Sequence, residues 1–168
     1  TVTGTSLGCT SSAIATVTVG GSITATVNSP TICAGQTATL TATGGTTYLW
    51  NTGSTANPLS VTPATTTSYT VTATAGGCTG SAIATVTVNP LPITTVNSPT
   101  ICAGATATLT GGGATTYAWS TGATTNPINV TPATTTSYTV TGTALGCTST
   151  AVSTVTVKPS PVSRFAQD

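Results

Sequence analysis

The first 157 residues contain no Asp, Glu, Lys, Arg or His. Every charged side chain belongs to Lys158, Arg164 or Asp168, and the net charge is +1. Moving protons or holding a metal ion normally takes a carboxylate, an imidazole or an ammonium group. A body lacking all three argues against an enzyme and against a resident cofactor or metal. Calcium clamps between domains are not expected without carboxylates, and Lys–Asn isopeptide cross-links lack both the lysine and the assisting acid. The small net charge offers no basic footprint for nucleic acid and no polybasic anchor for anionic lipid. No apolar run approaches the roughly 20 residues that cross a bilayer, so membrane insertion is not expected. Thr1 carries no signal peptide and reads as the middle of a strand, as in a processed piece of something longer. No helical apolar period occurs anywhere.

What the chain does have is threonine, 49 of its 168 residues, alternating with small and branched apolar side chains. Val, Ile, Thr and Tyr suit pleated, half-buried strands, which sets this low-charge chain apart from a disordered one. Thr37–Ala42 puts Ala38, Leu40 and Ala42 on one face. Tyr48 and Trp50 lie two apart, as do Tyr69, Val71 and Ala73, and Ala82, Ala84, Val86 and Val88. Gly44-Gly45, Thr52-Gly53-Ser54, Thr62-Pro63-Ala64 and Gly76-Gly77 punctuate these runs as turns.

The organisation is a repeat. Residues 20–88 and 89–157 align without a gap at a period of 69, the separation of Cys33 from Cys102, and 47 of those positions are identical. The same register lays 1–19 on 70–88, so the chain opens with the last two strands of an earlier copy. Residues 158–168 align with the start of a further copy, Lys158-Pro159-Ser160-Pro161 standing over Asn89-Pro90-Leu91-Pro92. Such periodicity marks an array of small units. Six or seven short strands in each unit, with a buried Trp on the third, describe tandem immunoglobulin-like β-sandwiches. Their expected core includes Leu40, Trp50 and Tyr69 in one copy and Leu109, Trp119 and Tyr138 in the other.

Five cysteines without acidic or imidazole partners favour disulfides over zinc or redox chemistry, and hence an oxidising, extracellular compartment. Small domains need such staples. Pairs within each unit, Cys33–Cys78 and Cys102–Cys147, are the preferred reading. Closing the first would contribute about 4 kcal/mol in the loop-entropy model. Ordinary sandwich order objects, because it sets the two turns at opposite ends and sends Cys33 to a neighbouring domain's thiol such as Cys147. A short Trp50–Val61 hairpin that omits a strand would remove the objection. Cys9, whose half-unit is incomplete, is expected to be unpaired or paired outside the segment.

The segments Thr46-Thr47-Tyr48-Leu49-Trp50-Asn51-Thr52-Gly53, Val61-Thr62-Pro63-Ala64-Thr65-Thr66-Thr67-Ser68-Tyr69-Thr70-Val71-Thr72 and Gly77-Cys78-Thr79 recur in order in the second copy, the first with Ala118 and Ser120 in place of Leu49 and Asn51. They resemble the Ig-like and PKD-like repeats of giant Bacteroidota surface proteins across residues 1–157. The resemblance implies export, commonly by type IX secretion. It also implies a place in adhesins, gliding-motility filaments or spacers of large secreted enzymes. That family often carries an Asp just before the Gly-Cys element, where this chain has Ala75-Gly76 and Ala144-Leu145.

Other candidate sites are weaker. Cys33-Ala34-Gly35-Gln36 has the outline of a thioester, yet the second copy, Cys102-Ala103-Gly104-Ala105, lacks the Gln. Tyr48 with Trp50, or Tyr117 with Trp119, would make a sugar-stacking platform if exposed, but strand position favours burial. Asn129-Val130-Thr131 is a sequon without a counterpart in the first copy, and the threonine rows are candidate O-glycan acceptors. Gly20-Gly21-Ser22 should flex and Asn89-Pro90-Leu91-Pro92 should be stiff. Each unit then adds about 25 Å of strand length to a rod. The expected function is a non-catalytic segment of an extracellular filament or long adhesin. Its partners would be neighbouring repeats, copies of itself or surface glycans. A spacer in a secreted enzyme and a glycan-binding module are the alternatives.

Overall fold

In the computed structural model, which describes residues 1–16 and 21–160, the alternation of threonine with apolar residues becomes strand over most of its length. A hairpin of β1 (Val2–Ser6) and β2 (Cys9–Ala13) comes first. The first series follows: β3 (Thr26–Val27), β4 (Thr31–Cys33), β5 (Ala38–Leu40), β6 (Ala42–Thr43), β7 (Thr47–Trp50), β8 (Leu59–Val61), β9 (Thr67–Ala75) and β10 (Cys78–Asn89). The second series is β11 (Thr95–Val96), β12 (Thr100–Cys102), β13 (Ala107–Leu109), β14 (Gly111–Gly112), β15 (Thr116–Trp119), β16 (Ile128–Val130), β17 (Thr136–Ala144) and β18 (Cys147–Lys158). Every strand of the second series stands one repeat period after its counterpart. The fold is an immunoglobulin-like β-sandwich, built twice.

In each copy one layer is a four-stranded sheet, β4-β10-β9-β7 or β12-β18-β17-β15. Short antiparallel pairs complete the sandwich: β3–β6 with β5–β8, and β11–β14 with β13–β16. Core side chains come from both sets of strands. In the second copy Ala107, Leu109, Trp119, Ile128, Val140 and Val155 form one buried cluster, with Ile101, Tyr117 and Tyr138 packed against it half-buried. The counterparts Ala38, Leu40, Trp50, Leu59, Val71 and Val86 are buried too, as is Tyr69. Ser153, which stands where the first copy has Ala84, is fully buried and donates its hydroxyl to the Asn97 carbonyl at 2.7 Å. That bond makes the polar substitution tolerable.

The expected single strand over Thr37–Ala42 is divided. Thr41 N–H turns away to the Asn28 side-chain oxygen at 2.6 Å, while the Asn28 amide donates to the Thr39 carbonyl at 2.9 Å. Asn97 does the same for Thr110 and Thr108, at 2.7 and 2.9 Å. One asparagine thus satisfies the backbone where the chain leaves one strand pair for another. Trp50–Val61 is likewise not a hairpin, because β7 pairs with β9 whereas β8 pairs with β5.

A second asparagine closes each crossover. Asn126 Oδ1 accepts from Gly111 N–H at 2.8 Å and its amide donates to the Gly111 carbonyl at 2.9 Å. Asn57 holds Ala42 in the same way, at 2.9 and 2.8 Å. Two part-buried bonds are lost on truncation, so Asn126→Ala is expected to destabilise the second copy by about 2–3 kcal/mol. A urea midpoint unchanged from wild type would contradict this role.

The described residues group into two compact units. Within the described residues, one comprises 1–16, 21–30, Thr39–Val61 and Ser68–Thr85; the other comprises Thr31–Ala38, Thr62–Thr67 and 86–160. These units do not follow the repeat boundaries. In the hairpin β1–β2, Val2 is 74% exposed although its counterparts Val71 and Val140 are 0%. The expected bend at Gly20 and the charged tail residues Arg164 and Asp168 lie outside the described residues.

Candidate functional site

Cys33 and Cys147 are joined by a disulfide, with their Cα atoms 5.6 Å apart and a sequence separation of 114. Cys33 ends β4, which runs parallel to the end of β10 in the register Cys33↔Asn89. Ala34 N–H donates to the Asn89 carbonyl at 2.9 Å, and Gln36 N–H to the Cys33 carbonyl at 3.0 Å, closing a tight turn at Gly35 (φ 84°). Cys147 opens β18 after the turn Leu145-Gly146, both at positive φ, and is 1% exposed. The Asn89 side-chain amide donates to the Leu145 carbonyl at 2.9 Å. Asn89 therefore touches both halves of the bridge. In the sequence Asn89 reads only as the start of a stiff joint, although it is one of the few positions that differ in all three copies: Gly20, Asn89 and Lys158.

This bond corrects the preferred pairing of Cys33 with Cys78 and of Cys102 with Cys147. Cys102 lies opposite Lys158, at the far end of β18 from Cys147. The two cysteines are separated by nearly the whole 12-residue strand, roughly 36 Å at about 3.3 Å per residue. A disulfide needs Cα atoms within about 7 Å. The register Cys33↔Asn89 sets the same separation from Cys78 along the 12-residue β10. The parallel edge strand decides the matter, and the alternative partner Cys147 is the one the structure gives. Cys9 and Cys102 are free and exposed, and Cys78 is free and half-buried.

With its sulfur in a cystine, Cys33 cannot form a thioester with Gln36. A cystine persists in oxidising compartments. The tyrosines considered for sugar stacking are half-buried, and their hydroxyls face the protein. Tyr48 Oη donates to the Gly45 carbonyl at 2.8 Å, and Tyr117 Oη to the Ala114 carbonyl at 2.9 Å. Trp50 and Trp119 are 2% and 4% exposed, and their indole N–H groups donate to Ala56 and Thr125 carbonyls at 2.8 and 3.0 Å. An open hollow of about 470 Å³ is lined by Thr46, Thr47, Tyr48, Thr55 and Asn57. Tyr48 and Asn57 already bond the backbone there, so the hollow offers a sugar few unengaged polar groups. Asn129 of the sequon accepts from the Thr108 hydroxyl at 2.8 Å. Among the described residues, no group of three or more His, Cys, Asp or Glu residues is placed to hold a metal.

No protein-family profile matches the chain, and no curated protein does either. Among solved structures it is similar to a three-Ig segment of titin, an E-to-A variant, at 14% identity and a TM-score of 0.43, covering 83% of this chain and 66% of that one. Extracellular domains 3–5 of Drosophila OTK give 14% identity and a TM-score of 0.45, covering 79% and 60%. Three N-terminal domains of the highly immunogenic outer capsid protein of bacteriophage RB49 give 21% identity and a TM-score of 0.44, covering 81% and 59%. The chain thus spans about two thirds or less of the length of these neighbours.

Proposed function

We propose that this chain is a non-catalytic structural segment of an extracellular filament or long cell-surface adhesin, of the kind built from Ig-like repeats in large secreted Bacteroidota proteins. The observation that carries the reading is the Cys33–Cys147 bond, which staples one repeat to the next rather than closing a site within either. It stands in a body with no charged side chain and with two strand series whose boundaries repeat in step along the sequence. Hydroxyl pairs occupy exposed positions where other proteins set ion pairs: Thr26 with Thr43 at 2.7 Å, Ser68 with Thr85 at 3.4 Å, Ser137 with Thr154 at 3.3 Å. Repetition of such units makes reach rather than chemistry, and the partners are further repeats and copies of the same protein.

A neutral surface has little long-range repulsion for salt to screen. Lateral association should therefore sediment alike in low and high NaCl, whereas bundles that fall apart sharply with salt would point to another component. Electron micrographs of the native material test the reading itself. Ordered fibres or long surface threads are expected. A catalytic domain carrying these repeats as a short stalk would replace this reading with that of a spacer.

A further inference from the structure

Each half of the Cys33–Cys147 bridge has an unbonded twin. Thr100-Ile101-Cys102-Ala103-Gly104 repeats Thr31-Ile32-Cys33-Ala34-Gly35 residue for residue. Ala103 N–H donates to the Lys158 carbonyl at 2.9 Å and Ala105 N–H to the Cys102 carbonyl at 3.0 Å, the same two bonds that shape the Cys33 turn. Gly104 has φ 83°, against 84° at Gly35. Lys158 takes the place of Asn89 and, like it, presents a side-chain donor.

The other half is matched by Leu7-Gly8-Cys9-Thr10-Ser11, identical to Leu145-Gly146-Cys147-Thr148-Ser149. Leu7 and Gly8 have φ 52° and 81°, against 51° and 77° at Leu145 and Gly146. The ladders close alike, with Ser6↔Cys9 and Ala144↔Cys147. A hollow of about 440 Å³ opens beside Cys9, between Gly4 and Ser11. Cys78 is the poorer twin: its turn has Gly76 in place of Leu, and Gly80 in place of Ser149.

We propose that Cys102 of one copy of this chain forms a disulfide with Cys9 of a second copy, reproducing the Cys33–Cys147 staple between molecules. The proposal rests on the reading of the chain as a fibre segment and names the site through which it adds to its own kind. The two patches differ, so the contact is heterologous and leaves each linked pair with one free Cys9 and one free Cys102 for further growth. Bond formation takes an oxidant, a small disulfide such as oxidised glutathione. The Cys102 thiol loses its proton to solvent and attacks that disulfide, expelling one glutathione thiolate. The Cys9 thiolate then attacks the Cys102 sulfur and expels the second. Two protein thiols are oxidised and one small disulfide is reduced.

The experiment is incubation of the 168-residue chain in a glutathione redox buffer, followed by non-reducing electrophoresis and peptide mapping. Trypsin is unsuited, because residues 1–157 contain no Lys or Arg. A protease acting at aliphatic positions such as Ile14, Ile23 and Val27 separates Cys9 from Cys33. A ladder of linked species is expected, with Cys9 joined to Cys102, and the internal Cys33–Cys147 peptide reports that the fold is intact. Cys9→Ser or Cys102→Ser should abolish the ladder, and Cys78→Ser should leave it. A ladder that survives either of the first two, or that maps to Cys78, overturns the proposal. So does a chain that keeps the internal bond and stays monomeric. Native material that still forms fibres in that case would leave the filament reading standing.

Discussion

Trp119→Ala is expected to lower the stability of the second sandwich by about 3–5 kcal/mol, the usual range for emptying a buried aromatic site. The indole is 4% exposed and lies in one cluster with Leu109, Ile128, Val140 and Val155. Few other large side chains are present to refill the space, since much of the core is alanine and valine. The substitution also strands the Thr125 carbonyl, which accepts the indole N–H at 3.0 Å. A domain of this size gains only about 5–15 kcal/mol from folding, and each kcal/mol moves its midpoint by about 4–8 °C. A fall of at least about 12 °C therefore follows from these figures. The chain has only two tryptophans, so Trp50 fluorescence reports the first copy separately in the same sample. A shift under about 4 °C would show that Trp119 does not anchor this core.

Breaking the Cys33–Cys147 bond is the second large expectation. Its ends are 114 residues apart, and the loop-entropy model gives about 4.8 kcal/mol for closing a loop of that length. The full amount appears only where the bridged stretch unfolds as one cooperative unit. The guanidinium midpoint of the oxidised chain should exceed that of the reduced chain, and Cys33→Ser should match the reduced chain with or without reductant. Cys78→Ser should leave the oxidised midpoint in place. Equal midpoints for oxidised and reduced protein would mean that the bond is absent or that its loop is already restrained in the unfolded ensemble.

The parts of the fold that follow from local rules were legible in the residues. Side chains alternate across a strand, so Leu40, Trp50, Val71 and Val86 declare one face from spacing alone, and the period declares that Leu109, Trp119, Val140 and Val155 do the same. Gly53 and Gly76-Gly77, all at positive φ, sit where turns were expected. What was not legible depends on which strands lie side by side. Nothing near Cys33 announces that β4 joins its sheet in parallel, beside the end of β10 rather than its beginning. That single register moves Cys33 away from Cys78 and determines the disulfide. The break at Thr41 was hidden for a similar reason, because the asparagine that causes it is 13 residues away in sequence. Asn89 shows the converse: its role follows from contact with a turn 56 residues later, which no local pattern encodes.

The position of that one covalent link has a mechanical corollary. Tension applied to the two ends of the chain enters at Cys33 and leaves at Cys147 through the sulfurs, bypassing everything between them. Trp50 and Trp119 both fall inside the bypassed stretch, whereas β18, which gives Val155 to the second core, stays in the line of the pull. Reduction would release the hidden length, on the order of 380 Å at about 3.3–3.6 Å per residue. Likewise a single proteolytic nick inside the ring leaves the two pieces tethered.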